Sequence, residues 1–151
     1  MMLGLVLGLF PQGDACSWDG ITCEASRVVG MSLSGYGIPG TLPEAWAQLF
    51  KVTYFDLSNN QLTGSLPDSW QTWTDLEKMN LGMNSLNGSI PGSWGSLTKM
   101  GEFDLSANQL TGALPDSWQT WTNVNLWHQP TMQKHVLFAR LLCSTMLHAF
   151  V

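Results

Sequence analysis

Apolar side chains recur through the middle of the chain at a fixed spacing, as in the column of Leu33, Leu57, Leu81 and Leu105. Residues 76–86 fit the pattern L-x-x-L-x-L-x-x-N-x-L, in which apolar and polar positions alternate around Met79 and Leu81. This alternation predicts a short strand, because successive side chains of a strand point to opposite faces. A fixed period of this length is typical of identical stacked units, which bury their apolar faces only against their neighbours. The pattern therefore predicts a solenoid whose strands pair in parallel along one face.

Two nearly identical segments establish the period. "LTGSLPDSWQTWT" at residues 62–74 returns as "LTGALPDSWQTWT" at residues 110–122, and "LNGSIPGSWGSLT" at residues 86–98 lies midway between them. The same frame gives a column of tryptophans: Trp46, Trp70, Trp94 and Trp118. A Trp that returns to one slot in every coil is interpreted as core packing rather than as a ligand cage.

The segment after each strand is predicted to turn and to return through a short helical element. A glycine in each coil is followed by a proline at the third position after it, and ordinary helix cannot continue through that proline. These glycines are Gly40, Gly64, Gly88 and Gly112. The stretch "PDSWQTW" then has Asp or Ser in a cap-like position, which favours a short turn over a long helix. The predicted fold class is an α/β solenoid, a right-handed coil of short parallel strands with short helical or 3-10 turns on its convex side.

A column of asparagines, Asn60, Asn84 and Asn108, stands where the strands end. A buried amide there can satisfy backbone groups that leave the strand ladder, whereas an unpaired one costs about 1–3 kcal/mol. The column is therefore interpreted as structural. Tyr36 takes this position in the first coil, which is atypical and cap-like.

The two ends of the chain depart from the repeat, so four segments are predicted. Residues 1–15 are interpreted as a secretory signal peptide or a truncated upstream segment, residues 16–27 as an N-terminal cap, residues 28–127 as the 24-residue repeats, and residues 128–151 as a degenerate tail or C-terminal cap. The fifth coil opens with Val124 and Trp127 and fails at Gln129. The tail is either a helix that closes the solenoid or an out-of-frame ending.

Cys16 and Cys23 flank "CSWDGITC" just before the first coil. The pair has no second CxxC and no nearby His, so it is a poor zinc site. A disulfide is predicted, with two reduced thiols as the alternative. The disulfide would place the protein in an oxidising compartment.

Composition and charge exclude some classes of function. Charged residues make up only 11% of the chain and its net charge is -5, so no basic patch is available to neutralise phosphates. Nucleic acid is therefore not expected as a partner, and anionic membrane surfaces are disfavoured for the same reason. Residues 136–151 are too few and too polar for a membrane span.

One motif has the spacing of a dinucleotide-binding site. "GYGIPG" at residues 35–40 is a G-x-G-x-x-G, and Asp56 stands where such a site places its acidic residue. Pro39 removes a backbone donor from the loop, and Pro43 interrupts the helix that should begin there. No hydrolase, kinase or metalloprotease motif is present, and all three histidines follow residue 127. We therefore expect no enzyme activity, no cofactor and no metal site.

The frame "LSNNQLTGSLP" resembles the leucine-rich repeats of the plant-specific subtype, and "CSWDGITCEASRVVGMSLSGYGIPGTLP" resembles their disulfide-bonded N-terminal cap. The tryptophans in "LPEAW", "LPDSW" and "IPGSW" are more similar to the surface antigens and proteophosphoglycan-like proteins of trypanosomatid protozoa. The resemblance implies a secreted or cell-surface recognition and adhesion module without catalysis. A membrane anchor is not visible in the chain, so membrane association is expected only through an anchor outside it.

A binding surface is predicted on the concave face, where strand residues point outward. The predicted face comprises Tyr54, Asp56, Ser58, Glu77, Lys78, Asn80, Glu102, Asp104 and Ser106. Its carboxylates favour a basic or polyhydroxylated partner, either a protein or a glycan. Two other functions stay open: a fragment of a plant-type receptor ectodomain or inhibitor protein, and a structural surface-coat component without a specific ligand.

Asn87 begins the sequence Asn-Gly-Ser, which is an acceptor for N-linked glycosylation. It falls on the turn that is predicted to leave the strand. An oligosaccharide at Asn87 is therefore expected to project into solvent.

Overall fold

The structure, a computed structural model, describes residues 14–120 and 125–127. The segments predicted for residues 1–15 and 128–151 therefore lie outside the described residues, apart from Asp14 and Ala15. Cys143 and the three histidines also lie outside them.

The described chain begins with a small cap that is held by a disulfide. A 3-10 helix, η1 (Ala15–Ser17), precedes strand β1 (Ile21–Glu24), which pairs antiparallel with β2 (Arg27–Ser32). Cys16 and Cys23 form a disulfide with their Cα atoms 5.6 Å apart. The strand β1 of the cap thus forms one edge of the sheet, and the coils stack on from β2.

The first sheet of the described chain has six strands: β1 at its edge is antiparallel to β2, and the other five strands are parallel to one another. β2 is followed in space by β4 (Tyr54–Asp56), β6 (Lys78–Asn80), β8 (Glu102–Asp104) and β10 (Asn125–Trp127). From β2 to β8 the paired residues keep the repeat frame, as Phe55, Met79 and Phe103 show. This sheet is the one that the alternating pattern predicts.

The last strand departs from the repeat frame. Leu126 pairs with Phe103, and Trp127 pairs with Asp104. The frame predicts Trp127 opposite Phe103, so β10 enters the sheet one residue early. The connection from β8 to β10 is therefore one residue shorter than the repeat frame predicts.

A second parallel sheet, which the repeat pattern does not predict, follows the first around each coil. Its strands are β3 (Pro39–Thr41), β5 (Gln61–Gly64), β7 (Ser85–Ser89) and β9 (Gln109–Thr111). Thr41 pairs here with Thr63 and not with Ser65, its equivalent in the repeat frame. The predicted turn is present as well, because Gly64 in β5 has φ +79°. A strand that contains left-handed glycine is easily mistaken for a turn in sequence alone.

The convex side consists of 3-10 helices, as predicted. They are η2 (Glu44–Gln48), η3 (Asp68–Thr72), η4 (Gly92–Ser96) and η5 (Asp116–Thr120). Each begins directly after one of four prolines that recur every 24 residues, Pro43, Pro67, Pro91 and Pro115. Hydroxyl groups link consecutive turns, as when Ser93 donates to the Asp68 carboxylate at 2.6 Å. No helix in residues 14–120 and 125–127 has the length and apolar composition to cross a membrane.

The core lies between the two sheets and the 3-10 helices, and the Trp column runs through it. Trp70 and Trp94 are fully buried, and their ring centroids are 6.1 Å apart in a stacked arrangement. The Trp70 indole N–H donates to the Pro43 carbonyl at 3.1 Å, and Trp94 repeats this contact with Pro67 at 2.9 Å. The tryptophans therefore pack the core and join successive coils. They do not form a ligand cage.

The Asn column also joins successive coils. The Asn84 amide donates to the Leu57 carbonyl of the preceding coil and to the Leu81 carbonyl of its own, at 2.9 and 3.1 Å. Its carbonyl oxygen accepts from the Leu62 N–H at 3.0 Å. Asn60 and Asn108 make the equivalent bonds. Each amide thus pairs backbone groups at the corner between the two sheets.

Candidate functional site

Side chains of the first sheet that point away from the core form an open face with three columns. We call this surface the open face; it corresponds to the predicted concave face. The columns are Gly30, Tyr54, Lys78 and Glu102; Ser32, Asp56, Asn80 and Asp104; and Ser34, Ser58, Gly82 and Ser106. Apolar strand residues such as Phe55, Met79 and Phe103 point the other way and are buried. The structure therefore brings all of the predicted face residues except Glu77 into one array.

The middle column orders the ends of its own strands. Asp56, Asn80 and Asp104 each accept a backbone hydrogen bond from the residue two positions later, at 2.9, 3.0 and 2.7 Å. Short polar side chains form such local turns readily. Their oxygen atoms are consequently held in fixed positions on the open face.

Tyr54 and Asp56 form a pair within one strand. The Tyr54 hydroxyl donates to the Asp56 carboxylate at 3.2 Å. Partial burial, and then the charge and hydrogen bond of Asp56, raise the pKa of Tyr54 above its ordinary value. The phenol therefore stays protonated across the physiological range and offers a large partly apolar surface beside a carboxylate.

Lys78 and Glu102 form an ion pair between adjacent strands at 2.8 Å. The hydrogen bond to Glu102 raises the pKa of Lys78. Both side chains are exposed, so the pair contributes little to stability. The charges of Lys78 and Glu102 offset each other. Asp56 and Asp104 of the middle column therefore give this part of the open face its negative charge.

Gly82 interrupts the serine column and creates a small notch. A Cβ atom at Gly82 would lie 3.2 Å from each of three oxygens, which belong to Asn80, Asp104 and Ser106. The notch is therefore lined by oxygen atoms, including one of a carboxylate. Such a lining favours a donor, above all a positively charged one. The sequence signals this feature only as the one break in the column of Ser34, Ser58 and Ser106.

Glu77 lies beside the open face rather than in its columns. It directly precedes β6 and lines a shallow groove together with Lys78, Lys99, Gly101 and Glu102. Lys99 is not among the predicted site residues. Its position is readable in the sequence as part of a charged column that runs Arg27, Lys51, Asp75 and Lys99.

Asp75 bridges two lysines along this edge. It accepts from Lys99 at 2.6 Å and from Lys51 at 3.1 Å, so that one carboxylate joins three coils. The hydrogen bond from Lys99, and after it the one from Lys51, lowers the pKa of Asp75. The edge formed by this charged column is consequently basic, although Asp75 neutralises part of its charge. The open face beside it carries more carboxylates than lysines.

The remaining predicted residues lie away from the open face. Asn60, Asn84 and Asn108 stand at the corner between the sheets, and Cys16 and Cys23 lie in the cap. Asn87 lies in β7 of the second sheet, with its side chain exposed. It lies in a strand, directly before the left-handed Gly88 of the predicted turn.

The dinucleotide-like motif has no helix of useful length after it. Gly40 lies in strand β3, and the next helical element is the short 3-10 helix η2. The geometry of a phosphate-binding helix N-terminus is therefore missing from this motif. Within the described part of the chain, no three His, Cys, Asp or Glu side chains come together in a way that could hold a metal ion.

Comparison with known proteins gives one family match, for residues 50–110, to the leucine rich repeat model. The structure is similar to one in the BIR3–SERK2 complex from Arabidopsis thaliana, with 25% identity and a TM-score of 0.70 over 78% of this chain and 65% of that one. It is also similar to the plant peptide hormone receptor RGFR1 in complex with RGF2, with 26% identity and a TM-score of 0.66 over 72% of this chain and 20% of that one.

A third similar structure is the ectodomain of the Arabidopsis thaliana membrane receptor kinase GASSHO1/SCHENGEN3 in complex with CASPARIAN STRIP INTEGRITY FACTOR 2. The two share 25% identity with a TM-score of 0.64, over 79% of this chain and 19% of that one. This chain thus spans 65% of the first of these solved chains and about a fifth of the other two.

Proposed function

Because the described chain folds as a leucine-rich-repeat solenoid, we propose that it is an extracellular recognition module that binds a basic peptide segment on its open face. The observation that carries this proposal is the acidic open face with its oxygen-lined notch at Gly82. Two of the similar structures are complexes: one is a peptide hormone receptor with RGF2, and the other is a receptor kinase ectodomain with CASPARIAN STRIP INTEGRITY FACTOR 2. The disulfide in the cap is consistent with an oxidising, extracellular location.

The charge of the open face favours a basic partner. Asp56 and Asp104 on the open face, and Glu77 beside it, carry negative charge that Lys78 does not offset, because Lys78 is paired with Glu102. A Lys or Arg side chain of a peptide could pair with the carboxylates and place donors in the notch. A glycan, the other partner that the sequence suggests, would supply hydroxyl groups but no positive charge. A peptide is therefore the favoured partner.

The subtype of leucine-rich repeat is also part of this proposal. The comparisons favour an ectodomain-like module of the plant type, and they lend no support to the trypanosomatid surface antigens that the Trp column suggests. That second resemblance stays a prediction. The remaining alternative is a structural coat component without a specific ligand. A chain that retains no peptide would favour this alternative over recognition.

A random peptide display library tests the proposal. We expect the purified chain to enrich peptides rich in Lys and Arg, and to lose them as salt is raised because the contacts are charged. Combining Tyr54→Ala with Glu102→Ala should weaken the best peptide at least about tenfold, which is roughly 1.4 kcal/mol. The matched control combines Gln61→Ala with Thr111→Ala on the second sheet, where both side chains are also exposed.

Gly82→Ser gives a finer test of the notch. Serine is the residue of the other three coils at this position, so the fold should tolerate it once the three neighbouring side-chain oxygens shift by a few tenths of an ångström. Its side chain would fill the notch, and binding of the basic peptide should weaken while the melting temperature stays near that of the parent. Unchanged affinity in both this variant and the double variant would remove the open face as the binding site.

A further inference from the structure

One side of the solenoid carries no charged residue in any coil. It comprises residues 35–43, 59–67, 83–91 and 107–115, which contain the corner asparagines and the second sheet. No position in these four segments is Asp, Glu, Lys, Arg or His. We call this surface the uncharged flank.

The charged residues of the described chain lie on the other surfaces. They occupy the cap, the open face and its edge, and the convex turns. They are Asp14, Asp19, Glu24, Arg27, Glu44, Lys51, Asp56, Asp68, Asp75, Glu77, Lys78, Lys99, Glu102, Asp104 and Asp116. Charged side chains are therefore absent from one continuous side of the described chain.

The exposed side chains of the uncharged flank are mainly hydroxyl and amide groups. In and beside the second sheet they include Thr41, Gln61, Thr63, Ser65, Asn87, Ser89, Gln109 and Thr111. The apolar strand residues between them, such as Leu62 and Leu86, are buried. The flank is thus mainly a surface of neutral hydrogen-bonding groups, interrupted by the exposed side chains of Tyr36 and Met83.

Asn87 lies in the middle of this surface. The coils before and after β7 contribute Ser65 and Gln109 as its neighbours. Asn87 pairs with Gln109 in the parallel register, and the Cβ position of Gly88 lies 3.6 Å from the Ser65 Cβ. Both neighbours are exposed and uncharged.

The acceptor sequence is presented outward in the folded chain. Asn87, Gly88 and Ser89 are all exposed, and the two polar residues lie two positions apart in one strand. Gly88 between them has a left-handed backbone, with φ +79°. The equivalent triplets in β5 and β9 begin with Thr63 and Thr111, so β7 alone carries an acceptor asparagine in the second sheet.

We propose that Asn87 carries an N-linked oligosaccharide and that this oligosaccharide covers the uncharged flank. In the transfer, a bond forms between Asn87 Nδ2 and the anomeric carbon of a lipid-pyrophosphate-linked oligosaccharide. The sugar–phosphate bond breaks, the lipid pyrophosphate leaves with the electron pair, and Nδ2 gives up one proton. Because Asn87 contributes only backbone groups to the ladder with Gln109, the modified side chain needs no rearrangement of the second sheet.

The chemistry of the flank suits a covering saccharide. Neutral sugar hydroxyls can exchange hydrogen bonds with Thr, Ser and Gln side chains without desolvating a charge. The open face lies on the other sheet and stays free of the oligosaccharide. The modification thus separates a shielded side from a recognition side, and it stands whether or not the open face binds a peptide.

Mass measurement tests the modification itself. The full chain, secreted from a eukaryotic cell line that makes N-linked glycans, should lose the mass of one oligosaccharide on treatment with peptide N-glycosidase. Asn87→Gln and Ser89→Ala should each abolish this shift, whereas Ser65→Ala, a matched serine outside the acceptor sequence, should retain it. An unshifted mass in the secreted parent chain would overturn the proposal.

Thiol labelling tests the covering. In a Cys143→Ser background, single cysteines at Ser65 and Gln109 report on the flank, and one at Ser58 reports on the open face. We expect a bulky maleimide to label the two flank cysteines several-fold faster when Asn87→Gln is added, and Ser58→Cys at an unchanged rate. Equal rates at the flank cysteines with and without the oligosaccharide would show that it does not cover this surface.

Discussion

Asn60, Asn84 and Asn108 each bond two neighbouring coils through one amide group. The amide N–H groups reach carbonyls in two coils, and the amide oxygen takes a backbone N–H of the preceding coil. A short polar side chain therefore replaces the ladder bonds that are lost where the chain turns from the first sheet into the second. Residues on the open face, by contrast, are held mainly within their own strand.

Asn84→Ala should destabilise the protein by about 2–4 kcal/mol, because it leaves the Leu62 N–H and the Leu57 carbonyl without this partner at a partly buried corner. Urea unfolding measures the change. Gln61→Ala, an exposed amide in the adjacent strand, is the matched control and should change stability by less than about 0.5 kcal/mol. Equal losses in the two variants would contradict a special role for the Asn column.

At the scale of elements, the second sheet depends on glycines that hold a left-handed backbone. Gly40, Gly64, Gly88 and Gly112 all have positive φ. They end the short strands and redirect the chain toward the 3-10 helices. The sheet therefore consists of a few paired residues per coil, and its strength comes from repetition in neighbouring coils.

Gly64→Ala should cost about 1–2 kcal/mol, because φ is +79° there and the new Cβ would lie 3.0 Å from the Thr41 Cγ2. Gly101→Ala is the control, since its Cβ would come no closer than 3.7 Å to another residue. Thermal or urea unfolding of both variants decides the question. A smaller loss for Gly64→Ala than for Gly101→Ala would refute the backbone argument.

At the largest scale, the described part of the chain is a stack in which each coil contacts its neighbours. Both sheets, the Trp column and the Asn column repeat the same contacts from coil to coil. The stability of such a stack is approximately a sum of coil and interface terms. Length can therefore change by whole coils without altering the contacts inside any one of them.

Deletion of residues 76–99 should leave a folded protein with one coil fewer, because Met100 then takes the slot of Leu76. We expect cooperative urea unfolding with a smaller m-value, since less surface is exposed on unfolding. Deletion of residues 76–87, half a coil, is the control and should abolish the cooperative transition. An m-value equal to that of the parent after the whole-coil deletion would argue against an additive stack.

The sequence by itself determined the coil and its core. Leu57 and Trp70 return in the next coil as Leu81 and Trp94, and a side chain that recurs in one frame must take the same slot in each coil. The first sheet, the 3-10 turns and the placement of Tyr54 on the open face all follow from that frame. The pairing of Cys16 with Cys23 was likewise readable from the segment that they enclose.

Tertiary structure alone decided which chain segments pair beyond that frame. The second sheet pairs Thr41 with Thr63 and so leaves the repeat frame, and β10 joins the first sheet one residue early at Leu126. The notch at Gly82 and the position of Asn87 on an uncharged side also appear only when the coils are stacked. The physical reason is that these features join atoms of adjacent coils, whose offset depends on the three-dimensional path of the connecting chain and not on the period of the sequence.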